Sequence, residues 1–260
     1  LKTMYLEKLL YFDLAEKAWR WKPSTRLEDS TSNVVDLMME RLSRQPLEAR
    51  VALKIASCIG KRFDLDLLAK VMTAEKSSVL TLLADSLQDE LLAPLFSDDL
   101  DVFIFSFAHD RVQQASYQQQ VGPDHSEVHL AIGRALWSDD PQALPQQSIF
   151  AIADQINLAL GLLPDGKERR EVAFLNLIAA QRARGSLAYA AAERYLEAGL
   201  QCLPPVDRWS DHYSLTYKLN LASAEIYSLL NSEARFQEIL SELLDHVSLK
   251  EDRLDVRICQ

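Results

Sequence analysis

Val102-Phe103-Ile104-Phe105-Ser106-Phe107 is the stretch on which the fold reading turns. Phe103, Phe105 and Phe107 alternate with Val102, Ile104 and Ser106, the period-two pattern of a half-buried strand. A short apolar run, Leu91-Leu92-Ala93-Pro94-Leu95, precedes it, and Ser97-Asp98-Asp99 supplies a turn between them. The two runs therefore read as a hairpin. Nearly everything around them has the 3.6-residue period of helices.

Working toward the amino terminus, a helix over about 75–89 buries Val79, Leu82, Leu83, Ser86 and Leu87. Asp64 caps a short helix that runs to Met72. Pro46 suits the first turn of another helix, with a buried stripe of Val51, Ala52, Ile55, Cys58 and Ile59 and a stop at Gly60. Three helices followed by a two-stranded hairpin, about 47–107, is the winged-helix pattern. A further helix follows over about 108–119 and is stopped by Gly122-Pro123. Upstream, Asn33 is expected to cap a helix with Asp36 as its reciprocal partner, carrying Val35, Met38, Met39 and Leu42 on one face. Residues 24–33 read as a polar linker. Trp19-Arg20-Trp21-Lys22-Pro23 breaks the pattern, and residues 1–12 read as a helix with Leu6, Leu9 and Leu10.

After Pro123 the sequence predicts only helices: about 123–137, 146–161, 167–184, 187–202, 210–230 and 233–247. The short loops make neighbours antiparallel. Leu175, Ile178 and Ala179 with Ala191, Tyr195 and Ala198 are spaced like a tetratricopeptide unit. A second pair, Leu219, Ala222 and Ile226 with Phe236, Leu240 and Leu244, fits more loosely at an offset of roughly 45 residues, against the usual 34. The expected fold is mostly α: a winged-helix domain with a small β-hairpin, then antiparallel tetratricopeptide-like helices. The expected divisions are 1–30, the tail of an upstream module and a linker; 31–121, the winged helix; and 122–260, the helical repeats.

Composition supports that outline. Only 7 glycines stand against 9 prolines, few for a protein with phosphate-cradling loops. The net charge of −10 argues against nucleic acid or an anionic membrane as partner. Cys58, Cys202 and Cys259 are widely spaced, with no CxxC, which fits reduced thiols in the cytoplasm. No apolar stretch approaches the roughly 18 residues of a membrane span, and none reads as a signal peptide. The chain opens inside a helical pattern and stops without a terminator, so it is expected to be a piece of a longer polypeptide.

Four constellations invite chemistry. Gly161-Leu162-Leu163-Pro164-Asp165-Gly166-Lys167 has the spacing of a phosphate-binding loop. Glu168 stands where Ser or Thr should follow, and the segment follows a helix, so it reads as a turn. The winged-helix pattern suggests DNA, but between Glu75 and Asp101 seven acids face one base, Lys76, a surface that would repel phosphates. His125 and His129 lie one helical turn apart without a third ligand, so no metal site is expected. His109-Asp110 falls where a strand runs into a helix. A helix N-terminus offers free N–H groups to an anion; Asp110 suits the dipole and could orient the histidine ring. Taken alone, the pair also reads as a simple helix cap.

The run Phe105-Ser106-Phe107-Ala108-His109-Asp110-Arg111-Val112-Gln113-Gln114-Ala115-Ser116-Tyr117 resembles the "F-x-HDRVQQAAY" signature of large bacterial signalling proteins that contain a STAND-class, AAA-like ATPase. Three further stretches are similar to the same family: residues 31–38, residues 56–65, and Ala188-Tyr189-Ala190-Ala191-Ala192 with Tyr195 and Gly199. The resemblance implies an ATPase core upstream, a winged helix, then tetratricopeptide-like helices, within a multidomain Ser/Thr or histidine kinase of a two-component pathway. It implies no cofactor in this fragment and ATP or ADP with Mg in the full-length protein. His109 and Asp110 match a His-Asp motif that touches bound ADP in related nucleotide switches, with Ala108 where those usually carry methionine; Arg111 belongs to this family's own signature. The expected function is regulatory and non-catalytic: His109, Asp110 and Arg111 sense nucleotide on the upstream core, and the repeats bind a protein or small-molecule inducer. A purely structural scaffold for protein–protein interaction is the alternative.

Overall fold

In the computed structural model the alternating run becomes the central strand of a three-stranded antiparallel sheet, one strand more than the hairpin expected. The structure describes residues 10–13, 18–21, 27–95, 103–137, 141–142 and 144–247. They fall in two compact units that divide between Gly122 and Pro123.

The first described element of the first unit is a hairpin of β1 (Leu10–Asp13) and β2 (Ala18–Trp21), in the register Leu10 to Trp21 and Asp13 to Ala18. This corrects the helix expected through residue 12; its earlier residues, with Leu6 and Leu9, lie outside the described set. Tyr11, Phe12, Trp19 and Trp21 are residue types that favour strands. α1 spans Leu27–Arg44. The expected linker is therefore largely helical, and Asn33 lies inside the helix instead of capping it. Polar composition points to a loop, yet no Gly or Pro interrupts residues 24–45.

α2 (Leu47–Ile59) ends at Gly60, as expected, and Pro46 is its N-cap, one position before the first turn it was expected to join. Its burial differs from the predicted stripe: Val51 and Ile59 are only half-buried, while Ala49, Ala52, Leu53, Lys54, Ile55, Ala56, Ser57 and Cys58 are buried because other helices pack around it. Lys54 is only 3% exposed, and its ammonium donates to the Val121 carbonyl at 3.0 Å. Gly60, at φ 150° and ψ −174°, adopts a backbone that side chains rarely tolerate. It turns the chain into β3 (Arg62–Asp64). The Asp64 carboxylate then caps α3 (Leu65–Met72), accepting from Asp66 N–H and Leu67 N–H. α4 spans Lys76–Gln88, β4 Leu92–Leu95 and β5 Ile104–Phe107.

The strand order is β3-β5-β4. Phe63 pairs with Phe105, and Leu92 with Phe107. The Phe63 ring lies 5.8 Å from Phe105 and 5.7 Å from Phe107, and all three are buried. Pro94 is tolerated because β4 is an edge strand. Phe103, expected inside, is 55% exposed: it precedes the paired register, and only its carbonyl is used, by Leu65 N–H at 2.9 Å. α5 (Asp110–Tyr117) closes the unit, with Val112 and Ser116 fully buried.

The second unit is helical throughout its described residues: α6 (His125–Leu136), α7 (Gln146–Asn157), a single 3-10 turn at Leu160–Leu162, α8 (Lys167–Gly185), α9 (Tyr189–Gln201), a short α10 (Arg208–Asp211), α11 (Tyr213–Leu229) and α12 (Glu233–His246). The hairpins α8–α9 and α11–α12 repeat at a spacing of forty-four residues. Leu175 and Leu219, Asn176 and Asn220, Ala180 and Ala224, Ala192 and Phe236, and Leu196 and Leu240 are buried in both. Their turns match too: Leu187 at φ 60° and Asn231 at φ 53° are both left-handed. In α12 the buried phase is Phe236, Leu240 and Leu243; Leu244, expected inside, is 48% exposed. The period is longer than the tetratricopeptide one.

Candidate functional site

The candidate site is the junction between β5 and α5. Two backbone bonds fix the chain as it leaves the sheet: Phe107 N–H donates to the Lys61 carbonyl at 3.0 Å, and Ala108 N–H to the Leu91 carbonyl at 3.0 Å. His109 then takes an extended conformation, φ −144° and ψ 143°, and forms the N-cap of α5. Its Nδ1 accepts the Arg111 backbone N–H at 3.1 Å. That bond satisfies one of the orphan donors of the helix start. With Nδ1 accepting, Nε2 is the ring nitrogen left to donate.

Asp110 does not hold the ring. Its carboxylate pairs with Lys61, Nζ to Oδ1 at 2.6 Å. The orienting role expected of Asp110 is filled by the Arg111 N–H. The hydrogen bond from Lys61 and then the Lys61 charge hold the Asp110 carboxyl below its ordinary 3.8; burial opposes this weakly, and the nearby His109 adds a smaller lowering. His109, Asp110 and Arg111 are all exposed. Beneath them, Val112 is fully buried, and Gln113 Nε2 donates to the Ser57 carbonyl at 3.2 Å, tying α5 to α2. The arrangement presents one imidazole N–H donor, the Lys61–Asp110 pair and the Arg111 side chain to solvent. Nothing in the local sequence marks Lys61 as a partner of Asp110. Only the pairing of β3 with β5 brings it to Asp110.

The other sequence candidates resolve into local structure. Gly161 to Lys167 spans the 3-10 turn and the start of α8, with Gly166 at φ 102°. Glu168 accepts two bonds from Arg134, Nε to Oε1 at 2.7 Å and Nη2 to Oε2 at 2.9 Å. His129 is 5% exposed, and its Nδ1 lies 2.7 Å from Gln155 Oε1. Among the described residues, no group of three or more His, Cys, Asp or Glu side chains is placed to hold a metal ion. Lys76, the only base of the surface considered for DNA, pairs with Asp66; Asp98, Asp99 and Asp101 lie outside the described residues.

No helix among the described residues is long and apolar enough to cross a membrane. No protein-family model matches the chain, and no solved structure matches it. The chain is 24% identical to a hybrid signal transduction histidine kinase G of Dictyostelium discoideum. That match covers 96% of this chain and 9% of the relative's length.

Proposed function

We propose that this chain is the regulatory, non-catalytic part of a STAND-type ATPase in a multidomain signalling kinase. In this reading the first unit is a winged helix that senses nucleotide on an upstream ATPase core, and the second is a tetratricopeptide-like array that binds a protein or small-molecule inducer. ATP or ADP with Mg belongs to that core in the full-length cytoplasmic protein. Support for the kinase context comes from the match to the hybrid histidine kinase, which runs through nearly the whole chain.

The observation that carries nucleotide sensing is the His109 cap. Because Nδ1 accepts from Arg111 N–H, the outer edge of the neutral ring is a donor, the polarity a phosphate oxygen requires. The helix start adds partial positive charge there. Inducer binding to the helical unit would shift a closed, ADP-holding state toward an open one. The test is ADP release from the intact protein that carries the core. His109→Ala is expected to speed release and raise basal signalling; unchanged release and output would sink the reading.

A second reading, a structural scaffold for protein–protein interaction, is favoured by the same cap, since a capping bond alone gives a histidine a purpose. The two separate cleanly. His109 is exposed, so as a mere cap its loss costs only about 0.5–2 kcal/mol of stability, with no nucleotide effect.

A further inference from the structure

We propose that Lys61 is a positioning residue of the nucleotide-sensing site, acting through Asp110 to hold the first turn of α5, and with it the His109 ring. The inference rests on the sensing reading above.

Three observations lead to it. Gly60 turns the chain out of α2 so that Lys61 arrives at the edge of the sheet. There the Lys61 carbonyl receives Phe107 N–H, which fixes its backbone two residues from His109 on the neighbouring strand. Its ammonium then reaches forward to Asp110, the residue next to the ring. Lys61 thus grips the junction on both sides of His109, by backbone before it and by side chain after it. The ring itself is held by one bond, to the N–H of Arg111, which is the second residue of the turn that Asp110 begins. Any sway of that turn moves the donor that aims the ring.

Lys61 and Asp110 are both exposed, so the expected effect is modest. Exposed pairs contribute little, and the change in ADP release is set at about two- to five-fold. A double-mutant cycle on the intact protein tests the inference, read as release of a fluorescent ADP analogue, with the thermal midpoint of each variant measured alongside. Lys61→Met and Asp110→Asn should each speed release by that factor, and the double variant no further, because both remove one interaction. Lys61→Arg keeps the pair and should restore the parent rate. All four midpoints should stay close to the parent's.

Other outcomes overturn it in distinct ways. If His109→Ala speeds release but Lys61→Met and Asp110→Asn do not, the positioning role is wrong and the sensing reading survives. Additive effects, or slower release in Asp110→Asn, would mean that Lys61 acts on the phosphate directly. Faster release that tracks a lowered midpoint and is not restored by Lys61→Arg would reduce the residue to a structural one. If His109→Ala itself changes nothing, the sensing reading falls, and the inference with it.

Discussion

Gly133 offers the sharpest test of how the helical unit is packed. It lies in α6, against α7. A Cβ built there would stand 2.4 Å from Ile156 Cγ1 and 3.2 Å from Ile156 Cδ1. Ile156 is 1% exposed, so its side chain has no free volume to swing into. Two effects of Gly133→Ala oppose each other. Alanine is the better helix former by about 1 kcal/mol. Overpacking a closed interface costs about 1–3 kcal/mol. The second wins, leaving a net loss of roughly 1 kcal/mol, since the overlap is with a carbon near the isoleucine backbone and not with a flexible tip. Gly185, in the last turn of α8, is the internal control: a Cβ there meets nothing within 4 Å. Gly185→Ala should keep only the propensity gain, of up to about 1 kcal/mol. The two substitutions should thus have opposite signs. Thermal unfolding followed by circular dichroism reads the difference, about 2–4 °C per kcal/mol for a chain of this size. If Gly133→Ala matches or exceeds the parent in stability, the close approach of α6 and α7 is wrong.

Three further outcomes follow from the same structure. Asp64→Ala removes a cap that serves two N–H groups and should cost about 1 kcal/mol by urea unfolding, with Asp64→Asn recovering most of it; equal stability of all three would show the cap to be idle. Burial pushes the Cys58 and Cys202 thiols up to about 11, so in a Cys259→Ser background both should react slowly with a disulfide reagent at neutral pH and quickly once unfolded; fast native reaction would contradict their burial. Asp110 is held below 3.8 chiefly by Lys61, so the favourable contribution of the pair is present above that value and is lost as pH falls through the lowered one; carbon-detected NMR titration should show the depression, and Lys61→Met should remove most of it, leaving the smaller lowering from His109.

What the sequence made legible was local. Asp64 caps its helix with side-chain chemistry that acts within a few residues and stands where that chemistry required, whereas Pro46 marks the start of α2 from the N-cap, one position ahead of the first turn, and Gly60 ends it at φ 150° instead of in a left-handed stop. The alternation through Phe105 and Phe107 announced a strand for the same reason. What stayed hidden depends on partners distant in sequence. β3 is three residues long, too short to show a period, and becomes a strand only because Phe63 and Phe105 pair across the sheet. Polar residues 27–33 carry no apolar stripe, so their helix could not be read from periodicity. The slip from Leu244 to Leu243 has a similar origin. Both residues fit a helical face, and packing against α11 selects the one that goes inside.

The site divides along the same line, and the division bears on its charge. The sequence placed an acid beside His109 on a chain of net charge −10, a poor setting for an anion. An exposed carboxylate one residue from the donor would repel phosphate as effectively as it favours the helix dipole. The Lys61 ammonium removes that conflict. With its charge balanced, Asp110 can still serve the first turn of α5, and in the proposed sensing role the Nε2–H of His109 would meet an anion beside a neutralised acid. The motif read from the sequence is therefore incomplete as chemistry: a His-Asp pair at a helix start suits an anion only where a cation closes on the aspartate, and here that cation arrives on a different strand.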